Sequence, residues 1–301
     1  MTHVPVMLRE VMETLSPRPG ATVVDGTVGH GGHAAELAAA SAPGGLIVVL
    51  DWDESMLKTA QERLLGVQGV TVRGFHEDFR RLPELLAQAC HESGKTVGAD
   101  AILLDLGLNA AQIEDAERGF SFRSVGPLDM RMDRTKGEPA AAWLNRAGHR
   151  EIEDVLFHLG DERWARKIAQ VIVERRKARP LQTTADLVDC VLAAVPPGKR
   201  DRRLHPATRT FQAVRIHING ELAGLEDALC AAARSLKPGG RMAVLSYHSG
   251  EDRAVKRAFR RLGQEEEFEL TARKPMTPSE TEIRSNPKSR SAKLRAIRRT
   301  T

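Results

Sequence analysis

Aromatic residues are scarce in this 301-residue chain, at 4%, and Tyr247 is its single tyrosine. That scarcity excludes a broad platform of rings on which successive bases could stack. Cysteine is equally sparse. Cys90, Cys190 and Cys230 are odd in number, far apart and without metal-ligand spacing, so neither a disulfide framework nor a bound metal is expected, and a reducing compartment fits. No apolar run approaches the ~20 residues that a membrane span needs, and MTHVPVMLREVMETL at the start is amphipathic rather than signal-like. The expectation is a cytoplasmic protein without a membrane partner.

Positive charge is present in modest excess, +5 overall, but unevenly spread. From Arg284 onward there are seven basic residues and no acid. Lys199, Arg200, Arg202, Arg203, His205 and Arg209 form a second cluster, and Arg175, Arg176, Lys177 and Arg179 a third. One such run is usually a solvated face; three point to a polyanionic partner.

The most telling segment is ATVVDGTVGHGGH, 21–33, followed by LIVVLD ending at Asp51. An apolar strand that breaks into glycines and then turns helical brings backbone close to a small ligand, and a carboxylate about twenty residues on suits ribose hydroxyls. Such turns serve dinucleotides and S-adenosylmethionine (SAM) alike. Asp25 directly after the strand would repel a pyrophosphate yet suit an ammonium and a sulfonium, so the sign of the charge favours SAM.

Apolar runs and helical patterns alternate from 22 to 106, and the strands are rich in Val, Ile and Leu without a two-residue period, as in a parallel sheet covered on both faces. From about 113 to 206 no strand is expected. Residues 115–133 read as loop, Ile152 to Leu159 as a helix stopped by Gly160, the next helix as capped by Asp161, and a third as capped by Thr184. One long helix carrying Phe211, Val214, Ile218, Leu222, Leu225 and Leu229 then leads to a strand at 241–248, and two closing segments, 267–274 and 291–299, alternate like an antiparallel pair. The predicted architecture is an α/β, Rossmann-like methyltransferase sheet, parallel with a terminal antiparallel pair, from 1–112 and 207–301, with a helical domain inserted at 113–206.

In an open parallel sheet, ligands lie beyond the carboxyl ends of the strands. Asp105, ending ADAILLD, therefore joins Asp25 and Asp51, while Phe79 is placed to stack on an adenine and Asp78 to accept from its amine; ordinary core is the other reading of Phe79.

HVPVMLREVM, DGTVGHGGH, LLDLG, DAERGFSFRSVGPLDMRMD, HPATRTFQAVRIHIN, LKPGGRMAVLSYHS, EDRAVKR and NPKSRSAKLR closely resemble the successive signatures of the MraW family of ribosomal RNA small-subunit methyltransferases. The resemblance spans nearly the whole chain. It implies a SAM-dependent enzyme acting on the exocyclic N4 of a cytidine in the decoding region of small-subunit rRNA, with the ribosomal particle as partner. It further implies that Gly31, Gly32 and His33 meet the methionine part of SAM, that Asp51 binds ribose and Phe79 adenine, and that Asp105 and Gln112 complete the pocket. Two serines and a proline are usual in the family where this chain has Asn109, Ala110 and Ala111, and its Phe-His-Ser-Leu-Glu-Asp-Arg is here Tyr247 to Arg253 with Gly250.

Transfer to an amine conjugated into cytosine demands alignment of nitrogen, methyl and sulfur, and acceptors for the amine hydrogens. Asn109, whose carbonyl could accept from that amine, Asp129 and Arg131 are the candidate catalytic residues; an ion pair bracing the loop is the alternative for the last two. His205, Arg209, His248 and Ser249 are candidates for RNA contact. The contrasting class is a non-catalytic RNA-binding or assembly protein that kept the fold; a nicotinamide oxidoreductase is disfavoured by Asp25, the basic tail and the antiparallel pair.

Overall fold

The computed structural model describes residues 5–201 and 204–301. Arg202, Arg203 and the first two residues of HVPVMLREVM lie outside the described residues. The chain divides into two compact units, Met1–Gly107 with Gly224–Thr301, and Leu108–Ala223.

In the first unit, α1 (Leu8–Leu15) buries Val11 and Leu15, with Met7 beside them. Strands and helices then alternate: β1 (Thr22–Asp25), α2 (Gly32–Ser41), β2 (Gly45–Asp51), α3 (Glu54–Leu64), β3 (Val70–His76), α4 (Leu82–Glu92) and β4 (Ala99–Asp105). The second unit holds α5 (Ala110–Glu114), α6 (Ala140–Arg146), α7 (His149–Gly160), α8 (Ala165–Ala178), α9 (Thr184–Ala194) and α10 (Thr208–Asn219). The first unit resumes with α11 (Leu225–Arg234), β5 (Leu236–Ser246), α12 (Ser249–Leu262), β6 (Phe268–Leu270), α13 (Glu280–Ser285) and β7 (Lys293–Arg299).

The seven strands form one sheet in the order β3-β2-β1-β4-β5-β7-β6. β1 to β5 run parallel, and β7 is antiparallel to both β5 and β6. Leu46 to Leu50 on β2 are fully buried because both faces of the sheet are covered, each side chain contributing about 1.5–3 kcal/mol through removal from water. Successive strands run outward from β1 in one direction and from β4 in the other. This switch sets Asp51, Asp25 and Asp105 on the carboxyl ends of three neighbouring strands.

Three local expectations are corrected. The one long helix expected to carry Phe211 through Leu229 is two, because Gly220 and Gly224 take positive φ of 58° and 65°, which a right-handed helix cannot continue through; the apolar period hides the break because it resumes in phase. α10 packs on α7 within the second unit. Asp161 closes α7 in a left-handed conformation instead of starting α8, and Gly160 is required for another reason, since a Cβ there would lie 2.6 Å from the Arg209 carbonyl. Thr183, not Thr184, caps α9 by accepting from the Asp186 N–H. α6 is too short to show a period in the sequence, yet it buries Trp143 and Leu144.

Candidate active site

β1 delivers Asp25 into the interior, 2% exposed, where its Oδ1 accepts from the Thr27 N–H at 3.2 Å. Burial, with Asp105 and Asp51 nearby, pushes its carboxyl up to about 8. At neutral pH it is largely a protonated acid. The standing charge that the sequence suggests at Asp25 is not kept, because desolvation in the closed turn outweighs one backbone hydrogen bond. Thr27 links the strand ends, because its Oγ1 also accepts the Asp105 N–H at 2.6 Å.

The glycine turn is built for packing as much as for ligand approach. A Cβ at Gly32 would meet Pro5 Cγ at 2.6 Å, and Gly31 takes φ of 72° as it enters α2. Asp51 anchors the same turn from β2: its Oδ2 accepts the Gly29 N–H and its Oδ1 the Asp53 N–H, both at 2.8 Å. Burial raises its carboxyl to about 6 against these two bonds. Phe79 is buried, with its Cβ facing Gly26, and Asp78 is occupied, capping the 3-10 turn through the Arg80 N–H and pairing with the Arg80 guanidinium at 2.7 Å.

His33, 6% exposed, holds Nε2 2.9 Å from the Val6 carbonyl and Nδ1 3.6 Å from Asp105 Oδ2. The other oxygen of Asp105 accepts from the Tyr247 hydroxyl at 2.7 Å. In the sequence Tyr247 and Glu251 stand out only as part of the Tyr247 to Arg253 run compared with the family pattern, and nothing marks Thr27 as a site residue. Glu251 is 2% exposed and accepts the Tyr247 and His248 N–H groups. His248 caps α12, its Nδ1 accepting from Gly250 and Glu251 while Nε2 lies 3.1 Å from Glu251 Oε1; Ser249 opens the helix and is exposed.

Other candidates belong to the second unit. Asn109 caps α5 through a reciprocal box: its Oδ1 accepts the Gln112 N–H at 3.0 Å and Gln112 Oε1 accepts the Asn109 N–H at 3.2 Å. A serine at this position could cap equally, which accounts for the departure from the family pattern. Asn109→Ala is expected to destabilise by about 1 kcal/mol and Asn109→Ser by much less, as read from denaturant midpoints; equal midpoints for the two variants would show that the cap is immaterial.

Along LDMRMD, Leu128, Met130 and Met132 are buried, while Asp129, Arg131 and Asp133 are half-buried. Arg131 makes a two-pronged pair with Asp129 at 2.7 and 3.0 Å and donates to the Arg134 carbonyl, and Asn219 clamps the loop through the Met132 N–H and the Met130 carbonyl. His205 stacks on Phe122, and Arg209 donates to the Asp161 carbonyl.

Much of the basic excess is internally engaged. Asp252 takes both Lys293 and Arg295, Glu267 takes Arg299, Asp186 takes Arg179, and carbonyls at the ends of α6 and α9 take Arg176 and Arg200. Clustering along the chain therefore overstates the charge available to a polyanion.

A parallel sheet closed by the antiparallel β6–β7 pair, with acids at three adjoining strand ends beside a glycine turn, is the arrangement expected of a SAM-dependent methyltransferase, the class to which the family of this chain belongs. The chain belongs to the MraW methylase family, whose sequence pattern matches residues 1–300. A relative from Geobacter sp. (strain M21), named ribosomal RNA small subunit methyltransferase H, is 44% identical over 98% of this chain and 97% of its own length. A relative of the same name from Symbiobacterium thermophilum is 43% identical over 98% and 96%. Among solved structures, a putative methyltransferase from Streptococcus mutans in complex with SAH is 11% identical, with 99% of each chain covered and a TM-score of 0.43. Among the described residues no helix is long and apolar enough to cross a membrane.

Proposed function

We propose that this protein transfers a methyl group from SAM to the exocyclic N4 of a cytidine in the decoding region of small-subunit rRNA, acting in the cytoplasm on an assembled ribosomal particle. The observation that carries the reading is the near end-to-end match to relatives bearing the small-subunit rRNA methyltransferase name. SAM supplies an electrophilic methyl on a sulfonium. The residues of the chain bind and align. Asp51 takes the ribose hydroxyls on the lone pairs left beside its two backbone bonds, Phe79 borders the adenine, Gly31, Gly32 and His33 hold the methionine end, and Asp105 and Gln112 complete the pocket.

Asn109 Oδ1 has a second lone pair for the cytosine amine, and the Asp129–Arg131 pair shapes the acceptor pocket through the loop it braces. His205, Arg209, His248 and Ser249 border the RNA. Cytosine nitrogen is a poor nucleophile, so alignment and acceptance of its hydrogens are the protein's contribution. Incubation with labelled SAM and small subunits from a methylation-deficient strain, followed by mass mapping, is expected to place one methyl on one cytidine N4. Label on another atom overturns the specificity, and SAM binding without turnover favours an assembly role instead.

A further inference from the structure

We propose that Arg253, Lys256 and Arg260, on the outer face of α12, carry the phosphate backbone of the RNA strand that bears the target cytidine; the assignment rests on the reading of small-subunit rRNA as substrate. The two sides of α12 differ sharply. Val255, Ala258, Phe259 and Leu262 are buried, while Arg253, Lys256, Arg257, Arg260 and Arg261 are exposed. Two of these five cations are engaged with α11, Arg257 pairing with Glu226 at 3.3 Å and Arg261 with Asp227 at 2.9 Å. The acids of α12 itself are occupied elsewhere. Asp252 holds Lys293 and Arg295 of β7, and Glu251 is 2% exposed and accepts two backbone N–H groups. Arg253, Lys256 and Arg260 pair with no carboxylate among the described residues.

These three fall at i, i+3 and i+7, on one side of the helix, and their Cα atoms span about 10 Å along its axis. That length suits roughly two or three successive phosphates of one strand. α12 starts at Ser249, just beyond β5, whose carboxyl end stands beside that of β4 and its Asp105. Arg253 lies about one turn from that start and Arg260 about two turns further, so the row leads away from the strand ends where the methyl donor sits. Past Gly263 the chain turns acidic; Glu265 and Glu267 pair with Arg234 and Arg299, but Glu266 is exposed, and the favourable stretch ends with the helix. No ring accompanies the cations on the exposed face, so the contact is to backbone and independent of base identity. A free cation that meets a phosphate releases counterions, whereas one already held by a carboxylate must first give up that partner.

Binding of the full chain to small subunits from a methylation-deficient strain, and to their protein-free rRNA, measured across a salt series, tests the row. Arg253→Ala, Lys256→Ala and Arg260→Ala are each expected to flatten the slope of log K against log salt by about 0.7 and to weaken binding about fourfold near 0.15 M salt, and the triple variant about 50-fold. Arg257→Ala and Arg261→Ala, which remove paired cations, are expected to weaken it by less than about twofold. An unchanged slope in the triple variant, or an equal loss in the paired-cation variants, overturns the proposal. Loss confined to the assembled subunit assigns the row to a ribosomal protein instead, and a matching loss of S-adenosylhomocysteine affinity by calorimetry assigns it to the fold or the cofactor site. Mapping the methyl placed by the wild type reads the substrate separately. Methylated cytidine N4 with an unchanged slope removes the row and leaves the function standing; no wild-type binding to small subunits removes both.

Discussion

Asp51→Asn lowers the affinity for SAM by about 100-fold, the scale of two hydrogen bonds to a charged acceptor. The substitution keeps the volume but replaces one acceptor oxygen with an NH2 group, whereas both oxygens already accept backbone N–H groups, from Gly29 and Asp53. One of those N–H groups must then face a donor, and the glycine turn loses its tie to β2. Two ribose hydroxyls lose a charged acceptor at the same time. Because burial raises the Asp51 carboxyl to about 6, wild-type binding is also expected to weaken as pH falls through that value, and the variant to lose that dependence. Isothermal titration across pH 5 to 8 measures both effects; affinity within about threefold of wild type at pH 8 would remove Asp51 from the ribose site.

Asp25→Asn stabilises the ligand-free protein at alkaline pH. The folded carboxyl titrates near 8 because it is desolvated, whereas in the unfolded chain it titrates near its ordinary value of about 4. Between those limits the folded state holds a proton that the unfolded state has released, so its contribution to stability falls as pH rises from about 4 and levels off above about 8. Asparagine cannot ionise and escapes this loss. The variant is expected to exceed the wild type by about 2–5 kcal/mol at pH 8.5, with the gap closing toward pH 4.5. Urea denaturation at the two pH values checks it; a gap that does not change with pH would mean that Asp25 does not titrate in this window. A cationic ligand next to Asp25 favours its ionised form, so SAM binding near neutral pH is expected to release a fraction of a proton.

Much of the first unit is legible because its signals are local. Unbroken Val, Ile and Leu runs mark strands buried on both faces, and acids at 25, 51 and 105 end three of them. Helix ends were harder. Asp161 and Thr184 are plausible caps by residue type, yet the chain closes α7 on Asp161 and starts α9 from Thr183, because a cap is set by backbone dihedrals at one residue. The break at Gly220 escaped for the same reason. The alternating polar and apolar residues of LDMRMD were noticed without their cause, which is that Arg118 and Asn219, distant in sequence, hold the loop with its methionines inward.

The alternating α/β order, the antiparallel closure and the acids at the strand ends can all be read along the chain, since hydrophobic period and strand termination are properties of neighbouring residues. What each polar group is engaged in is set by the folded arrangement. It neutralises Asp25 by burial, engages one lone pair of the Asn109 carbonyl in a helix cap, pairs Arg295 with Asp252 and lays the Tyr247 hydroxyl on Asp105. Solvation and hydrogen bonding depend on which atoms meet after folding, and those atoms are drawn from segments far apart along the chain.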